Sequence, residues 1–420
     1  MPIACRMTKY LFLFLIICST AYLFPDDPPE PIITEIKFEG LEKTKESYIQ
    51  DILKRFTGIP EKSLDLHEVE TVLEELQLFS EIKLSVEQGE DGSVFLFIRV
   101  KEKFFFLPIP FFMYSSDNGF MGGAFVMDTN AFGIRDNYLV GGIFSKNIQL
   151  AFMSYSRPSR DAAHPGFSVS ASFIHRDREE RNSKNRRVIE YDTMGGSANV
   201  SVSDKISRHS EIEAGLGYDY TNIDAGKSCL GYEKKLKSFH SFSLNGGWKA
   251  SFPELNEWFM SSKSLSAGGE ISFLTTGKTA ESVNIRISIQ KPLPITRLRA
   301  IMQYSGYFSH NVPLAFLPSQ TVVGTTIMPE KFHSAKMAGI NTGLEVGILK
   351  IKYVVFSAYA LLEQFTGEDF DSSLVMDFGY STGIKMYLKT FAFPAIALGV
   401  SHNIMENDLK FSVAIGVGEF

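Results

Sequence analysis

The chain has 420 residues, a net charge of −6 and 44% hydrophobic residues. This mild charge, with no basic stripe, argues against a nucleic-acid partner and against an electrostatic anchor on anionic lipid. The aromatic residues are 36 Phe and 16 Tyr against only 2 Trp. Such a composition is typical of β-strands and of lipid-facing barrel surfaces, and it excludes a disordered chain or a coiled coil.

The first residues have the pattern of a secretory signal peptide. Arg6 and Lys9 give a short positive region, an apolar core follows over 11–18, and small residues end at Ala21. We predict a signal peptide over 1–21 with cleavage after Ala21. A retained membrane anchor is the alternative, but the apolar run over 10–24 is shorter than the roughly 20 residues of a spanning helix.

The cysteines point to no disulfide framework. Cys18 lies in the signal region, where lipidation is an alternative fate, although the bulky residue before it does not favour that reading. Removal of the signal leaves only Cys229, so we expect neither an intrachain disulfide nor a cysteine-based metal cluster.

After a proline-rich linker over 22–30, residues 31–103 predict a small α+β domain. A short strand ends at Gly40, and Thr44 is the predicted cap of a first helix that stops at Thr57-Gly58. Asp65 precedes a second helix with apolar residues at three-and-four spacing. Two strands over 82–86 and 93–100 complete the order β-α-α-β-β.

That order, together with the segments ITEIKFEGLEKTKESYI and LFSEIKLSV, resembles a POTRA domain, the periplasmic module that precedes the barrel of outer-membrane assembly factors. A generic small α+β domain is the alternative. The exposed edge of such a sheet would accept an extended peptide as an added strand.

From residue 104 to 420 the hydrophobic period becomes two. Phe167, Val169, Ala171 and Phe173 alternate with serines, and the same alternation returns over 211–220 and 283–290. The predicted strands run near ten residues, which suits a tilted membrane crossing better than a soluble β-sandwich, the alternative with shorter strands. The prediction is therefore a transmembrane antiparallel barrel.

We count sixteen predicted strands, an even number as expected for a closed bacterial barrel. They lie at 106–114, 119–128, 137–145, 148–156, 166–175, 190–202, 210–220, 238–250, 264–274, 282–290, 297–308, 338–348, 351–361, 373–387, 391–401 and 408–420. If the first strand leaves the periplasm, the outer connections include a long charged loop over 175–187 and the segment 310–336. The periplasmic connections, such as 349–350 and 389–390, are short.

Several barrel segments also resemble the bacterial outer-membrane protein assembly factor family. Asp128, Asn130, Phe132 and Gly133 match the family's D-x-N-x-F-G turn, where a glycine suits a tight reversal. FMSYSRPSR, in which Pro158 ends the fourth strand, and DFGYSTGIKMYL with IALGVSH resemble later turns and hairpins. The resemblance covers almost the whole mature chain.

Two departures concern the family's functional loop. The sixth outer loop of the family folds into the lumen with a Val-Arg-Gly-aromatic motif, and the matching positions here are Val322, Val323, Gly324 and Thr325, without the arginine. The family's Asn-x-Glu-Leu-Arg signature appears as 341–345, from Asn341 to Glu345, so its Glu and Arg are lost. These departures put insertase activity in doubt.

The ends of the predicted barrel suggest a weak seam. Pro108 and Pro110 lack N–H donors on one side of the first strand, and Gly416 and Gly418 lie on the last strand. In the family, the first and last strands pair and open toward lipid. The alternative is that the prolines mark a linker before a strand that begins at Phe111. Phe420 matches the family's aromatic C-terminal signal, and a bulge over 416–419 would bring it into phase.

No catalytic or metal-binding pattern is present, so we expect no enzyme, no cofactor and no metal. There is no G-x-S-x-G elbow and no H-E-x-x-H motif. His175, His310 and His333 are predicted to be solvated outer-loop residues, and 368–373 a solvated acidic loop with cation binding as the alternative.

Two functions remain open. The resemblance implies an assembly or translocation factor whose periplasmic domain receives unfolded outer-membrane client proteins or periplasmic lipoproteins, with insertion into the lipid bilayer at the barrel seam. The alternative is a divergent barrel that acts as a pore, a lipid-handling protein or a surface structure, and the lost arginine favours it.

Overall fold

A computed structural model of the chain describes residues 30–89, 93–115, 119–160, 164–207, 209–224, 236–255, 258–309, 312–329, 331–351, 354–388 and 394–415. The predicted signal peptide, residues 22–29 of the linker, Cys18, Cys229, His310, Gly416, Gly418 and Phe420 lie outside the described residues.

The chain divides into two compact units, with the change between Phe104 and Phe105, and the short segment Phe132–Ile134 groups with the first unit. The first unit follows the predicted order: β1 (Ile33–Glu39), α1 (Glu46–Leu53), α2 (Leu66–Glu75), β2 (Phe79–Gln88) and β3 (Val94–Glu102). The sheet order is β1-β3-β2, with β1 parallel and β2 antiparallel to the central β3. The predicted α+β arrangement is therefore confirmed.

The core of the first unit lies between the sheet and the helices. It contains buried residues of β1, the alternate residues of β3 and the apolar faces of both helices, namely Ile33, Ile36, Ile49, Leu53, Val69, Leu73, Val94, Leu96 and Ile98. Asp65 caps α2 by accepting from the backbone of His67 at 2.9 Å. The predicted cap of α1 is wrong: the residue before α1 is Lys45, which makes no side-chain cap hydrogen bond, and the backbone N–H of Thr44 donates to Glu102 at 2.8 Å.

The second unit is a closed barrel of sixteen antiparallel strands, which confirms the predicted number. The strands are β4 (Phe106–Ser115), β5 (Gly119–Asp128), β6 (Asn137–Ser145), β7 (Ile148–Arg157), β8 (Gly166–Arg181), β9 (Arg187–Ser207), β10 (Ser210–Asp224), β11 (Phe239–Leu255), β12 (Met260–Leu274), β13 (Thr279–Pro292), β14 (Thr296–Tyr307), β15 (Lys336–Ile351), β16 (Val354–Glu368), β17 (Leu374–Leu388), β18 (Pro394–Asn403) and β19 (Asp408–Ile415).

Each strand pairs with its neighbours in sequence, and β19 closes the ring onto β4. We call the end of the barrel at which β4 begins the near end, and the opposite end the far end. Along each strand, apolar side chains on the outer surface alternate with side chains that face the lumen. On β16, for example, Ser357 and Glu363 are buried inside while Leu362 is exposed outside.

Strands β8 to β13, β15 and β16 are longer than predicted, whereas β14 and β17 have the predicted lengths. The segment 175–187 is wrong as a loop: β8 runs to Arg181 and β9 begins at Arg187, so only 182–186 form the turn. His175 therefore lies on a strand, paired with Met194. Charged residues such as Arg178 and Glu180 hid this extension from the hydrophobic pattern, although Ile189 and Tyr191 of β9 are buried in an apolar cluster with Leu314.

None of the described helices is long and apolar enough to cross a membrane.

Candidate functional site: the inward loop, its anchors and the barrel seam

The described residues of the connection between β14 and β15, 308–309, 312–329 and 331–335, fold into the barrel lumen, and we call them the inward loop. Its middle forms a short 3-10 turn over Gln320–Val323 and then reverses at Gly324, which has a φ of +72°. Glycine adopts this left-handed conformation without the steric cost that a Cβ would bring. The four predicted motif positions thus lie together at the innermost part of the loop.

The loop backbone is held by polar side chains that point inward from the barrel wall. The Asn341 amide donates to the Gly324 carbonyl at 2.7 Å. The Glu363 carboxylate accepts from the backbone N–H of Thr326 at 2.6 Å and from its hydroxyl at 2.9 Å. Hydrogen bonds to a carboxylate are stronger than neutral ones, so Glu363 is a main anchor of the loop.

Further anchors come from the last two strands. The Ser401 hydroxyl donates to the Thr326 carbonyl at 3.2 Å, and the Asn403 amide donates to the Ile327 carbonyl at 3.4 Å. The Lys410 ammonium donates to the Met328 carbonyl. The loop therefore connects β15 and β16 to the strand that closes the seam.

An apolar cluster completes this attachment, and we call it the loop core. It contains Val323, Ile327, Met328 and Phe332 from the loop, packed on Met337 and Phe365 of the wall. The rings of Phe332 and Phe365 meet edge to face with centroids 5.6 Å apart. Because Val323 is fully buried here, the position where the family has its arginine faces a dry apolar site.

A second attachment lies at the far end, where the loop meets the β8–β9 hairpin. The Glu180 carboxylate accepts from the Tyr191 hydroxyl at 2.8 Å and lies 2.5 Å from Nδ1 of His333. Arg178 lies 3.3 Å from Glu180 and also donates to the loop carbonyl of Ala315 at 2.7 Å. We call these four side chains, all of them buried, the ion cluster.

The ion cluster corrects the prediction for His333, which is buried rather than solvated. Burial lowers the pKa of His333, the nearby charges of Arg178 and Arg176 lower it further, and Glu180 opposes them. The imidazole is therefore neutral near pH 7. The exposed Asp371 fits the predicted solvated acidic loop better, and hydrogen bonds from Ser373 lower the pKa of its carboxyl.

A third polar group lies in the lumen toward the near end. Arg297 of β14 pairs with Glu345 of β15 at 2.6 Å, and Glu345 also accepts from Ser357 at 2.5 Å and from Tyr387 at 2.8 Å. The ring of Phe259 lies 5.1 Å from the Arg297 guanidinium. The arginine beside Glu345 thus comes from the neighbouring strand and not from the signature at 341–345.

The seam between β4 and β19 pairs four residues in the described chain, from Phe112 with Ile415 to Ser115 with Ser412. Pro108 and Pro110 lie inside β4, which begins at Phe106, so they are not a linker before a strand that begins at Phe111. On their other side they face Val126 and Ala124 of β5. Their role at the seam remains a prediction.

The turn between β5 and β6 has the geometry expected for its motif. The buried Asn130 accepts from the backbone N–H of Arg135 at 2.8 Å, and its own N–H donates to Asp128 at 3.0 Å. Gly133 has a φ of +78°, as a tight reversal requires. Phe132 is 62% exposed.

Sequence reasoning missed the anchors Glu363 and Lys410 and the ion-cluster residues Arg178, Glu180 and Tyr191. One signal was available: a charged residue on the lumen face of a strand needs a partner. The pattern does not tell which loop supplies that partner. Among the described residues no group of three or more His, Cys, Asp or Glu side chains is placed to hold a metal ion.

No family model and no curated protein matches the sequence. Solved structures do match the fold. BamA from Haemophilus ducreyi lacking POTRA domains 1–3 has a TM-score of 0.65 at 14% identity, over 93% of this chain and 85% of that one. CdiB from Acinetobacter baumannii has 0.62 at 13%, over 92% and 74%. CdiB from Escherichia coli has 0.61 at 14%, over 92% and 76%. The chain therefore has the fold of the BamA-like and CdiB-like outer-membrane barrels with a POTRA-like domain.

Proposed function

We propose that this protein is an outer-membrane assembly or translocation factor, with its first unit in the periplasm and its barrel in the outer membrane. The observation that carries the proposal is the closed sixteen-strand barrel behind a POTRA-like first unit, a fold shared with BamA and CdiB, in which the first strand β4 pairs with the last described strand β19 at a seam. If the first and last strands separate at this seam, the sheet offers unpaired N–H and C=O groups to another strand.

The first unit supports a role in receiving clients. In the described residues β2 pairs on one side only, with β3, so its other edge is available to an added strand. Backbone hydrogen bonds would give affinity without a sequence requirement. Unfolded client proteins or periplasmic lipoproteins are the partners of this proposal, and it requires neither catalysis nor a cofactor.

The inward loop also supports a working barrel rather than a collapsed remnant. The family arginine is absent, yet the loop is attached through Asn341, Glu363 and Lys410. Different residues thus hold the loop in the lumen. A second candidate function is a pore or surface barrel without insertase activity, and the lumen chamber of about 550 Å³ near Glu213 and Arg286 is the observation that favours it.

The test is reconstitution of the full chain in liposomes with an unfolded barrel client. We expect client insertion to be faster than with empty liposomes. Steady ion conductance without acceleration would refute the assembly function and support the pore.

A disulfide across the seam sharpens this test. Tyr114 and Val413 are register partners, so Tyr114→Cys with Val413→Cys, in a chain free of the native cysteines, should lock the seam and stop insertion. The matched control is Tyr114→Cys with Phe120→Cys, which locks β4 to β5 and leaves the seam free. Reduction should restore insertion only in the first variant.

A further inference from the structure

The lumen face of β4–β7 is apolar, in contrast to the serine-rich lumen face of the neighbouring strands β8 and β9. Its side chains alternate with outward residues such as Phe112 and Phe144, which are exposed. We call this face the inner wall. It contains Leu107, Ile109, Phe111, Met113, Met121, Phe125, Met127, Leu139, Ile143, Ile148, Leu150 and Phe152.

The register shows that these residues form one continuous surface. Across the four strands Phe111 pairs with Gly123, Gly123 with Ile143, and Ile143 with Leu150. Phe125 packs over Gly141, where an added Cβ would lie 2.4 Å from the Cβ of Phe125. The inner wall is therefore one continuous, closely packed apolar face of the sheet, and its side chains are not isolated from one another.

The wall ends abruptly on both sides. On the β8 side, Phe152 pairs with Ser172 and is followed by the serines of β8 and β9. On the β19 side, Ser412 lies opposite Ser115 across the seam, and Lys410 is buried further along the lumen face of β19. The apolar face thus gives way to strands with polar lumen residues on both sides.

The apolar clusters of the inward loop contain no inner-wall residue among those described. Most wall side chains, such as Phe125 and Ile143, remain partly open to the lumen. A contiguous apolar surface of this size facing water is unfavourable and is characteristic of an interaction site.

We propose that the inner wall binds an amphipathic β-strand of a client inside the lumen, with the client's future lipid-facing side chains against the wall. The polar chamber lies across the lumen, lined by residues such as Glu211, Glu213 and Arg286. A segment with alternating apolar and polar side chains satisfies both surfaces at once. This inference rests on the proposed assembly function.

Length and position agree with this occupant. β4 to β7 have nine or ten residues each, and a membrane-crossing strand needs about 9–11. β4 belongs both to the wall and to the seam, so a bound strand lies beside its exit into lipid. An acyl chain would fit the wall with one side but would leave its other side against the polar chamber.

The experiment uses the full chain in liposomes with the unfolded barrel client. Benzoylphenylalanine, a photo-crosslinking amino acid, replaces Phe152 in the wall or, as the matched control, the outward-facing Met153, which is 49% exposed. We expect client adducts at position 152 on alternate client residues, those that face lipid after folding, and lipid adducts at position 153. Lipid adducts at 152, or client adducts without the period of two, would overturn the inference.

A kinetic experiment distinguishes an error in the inner-wall inference from an error in the proposed assembly function. Ile143→Asn with Phe152→Asn should slow client insertion by about tenfold for each side chain, from the lost apolar burial, whereas Phe152→Leu should keep the rate. Heat-modifiable gel migration checks that each variant barrel is folded. If the parent protein inserts the client and the Asn variant does so equally fast, the wall inference is wrong and the assembly function stands. If the parent gives no acceleration, both are wrong.

Discussion

The side-chain amide of Asn341 donates to the main-chain carbonyl of Gly324, 2.7 Å away, and so attaches the innermost point of the inward loop to the barrel wall. Asn341 is buried, and loss of its N–H leaves the partly buried Gly324 carbonyl with one partner fewer. This bond and the Glu363 contacts hold the loop where the family's arginine motif would lie.

Asn341→Ala should loosen the inward loop. A buried hydrogen bond lost in this way costs about 1–3 kcal/mol, so we expect lower thermal stability and more frequent open-channel events. Planar-bilayer conductance and thermal unfolding measure the two effects. Asn284→Ala, a chamber-lining residue on β13, is the matched control. Unchanged conductance in Asn341→Ala would contradict an anchoring role.

Restoring the family arginine should harm this protein. Val323→Arg would place a charge in the loop core among Phe332 and Phe365, and burial of a charge there costs several kcal/mol unless it finds a partner. We expect a lower unfolding temperature and a mobile loop, measured by limited proteolysis. Val322→Arg, at a position that is 38% exposed, should be tolerated. Equal unfolding temperatures of the two variants would show that the Val323 side chain is not held in an apolar site that excludes a charge.

Removing one member of the Arg297–Glu345 pair should be more harmful than removing both. Glu345→Ala leaves the buried Arg297 without its carboxylate and should destabilise the barrel by about 3–5 kcal/mol. The double variant Arg297→Met with Glu345→Met should recover part of this loss, since it removes the guanidinium that the single variant leaves without its carboxylate; recovery is partial because the buried Lys385 also interacts with Glu345. Urea unfolding followed by intrinsic fluorescence gives the comparison, and additive losses would argue against the pairing.

Acid should release the loop from the β8–β9 hairpin. Because burial lowers the pKa of His333 below its usual 6.5, an undocked loop binds protons more readily than a docked one. Docking is then complete above about pH 6.5 and weakens as the pH falls toward the lower folded-state pKa. We expect conductance to rise reversibly between pH 7.5 and 5.5.

The control for this prediction is His333→Gln, which keeps a hydrogen-bonding side chain near Glu180 but cannot change its charge. Its conductance should be flat over the same pH range. The other charged groups around His333, namely Arg176, Arg178, Glu180 and Lys331, remain in place in this variant. A pH response that persists would assign the titration to one of them.

The sequence by itself determined the elements that depend on local periodicity. The period of two from Phe106 onward predicted sixteen strands, and helical spacing after Asp65 predicted α2. Both patterns depend only on which neighbouring residues are apolar, so they can be read from the sequence. Gly133 similarly revealed its turn, since a positive φ favours one residue type.

Only the tertiary structure decided which distant residues meet. Glu180 and His333 are 153 positions apart and Asn341 reaches back to Gly324, and neither contact leaves a periodic signal. The apolar lumen face of β4–β7 was also hidden, because a strand that is apolar on both faces does not show which face is inside until the barrel closes. Barrel closure, a long-range event, thus determined both the anchors of the loop and the proposed binding wall.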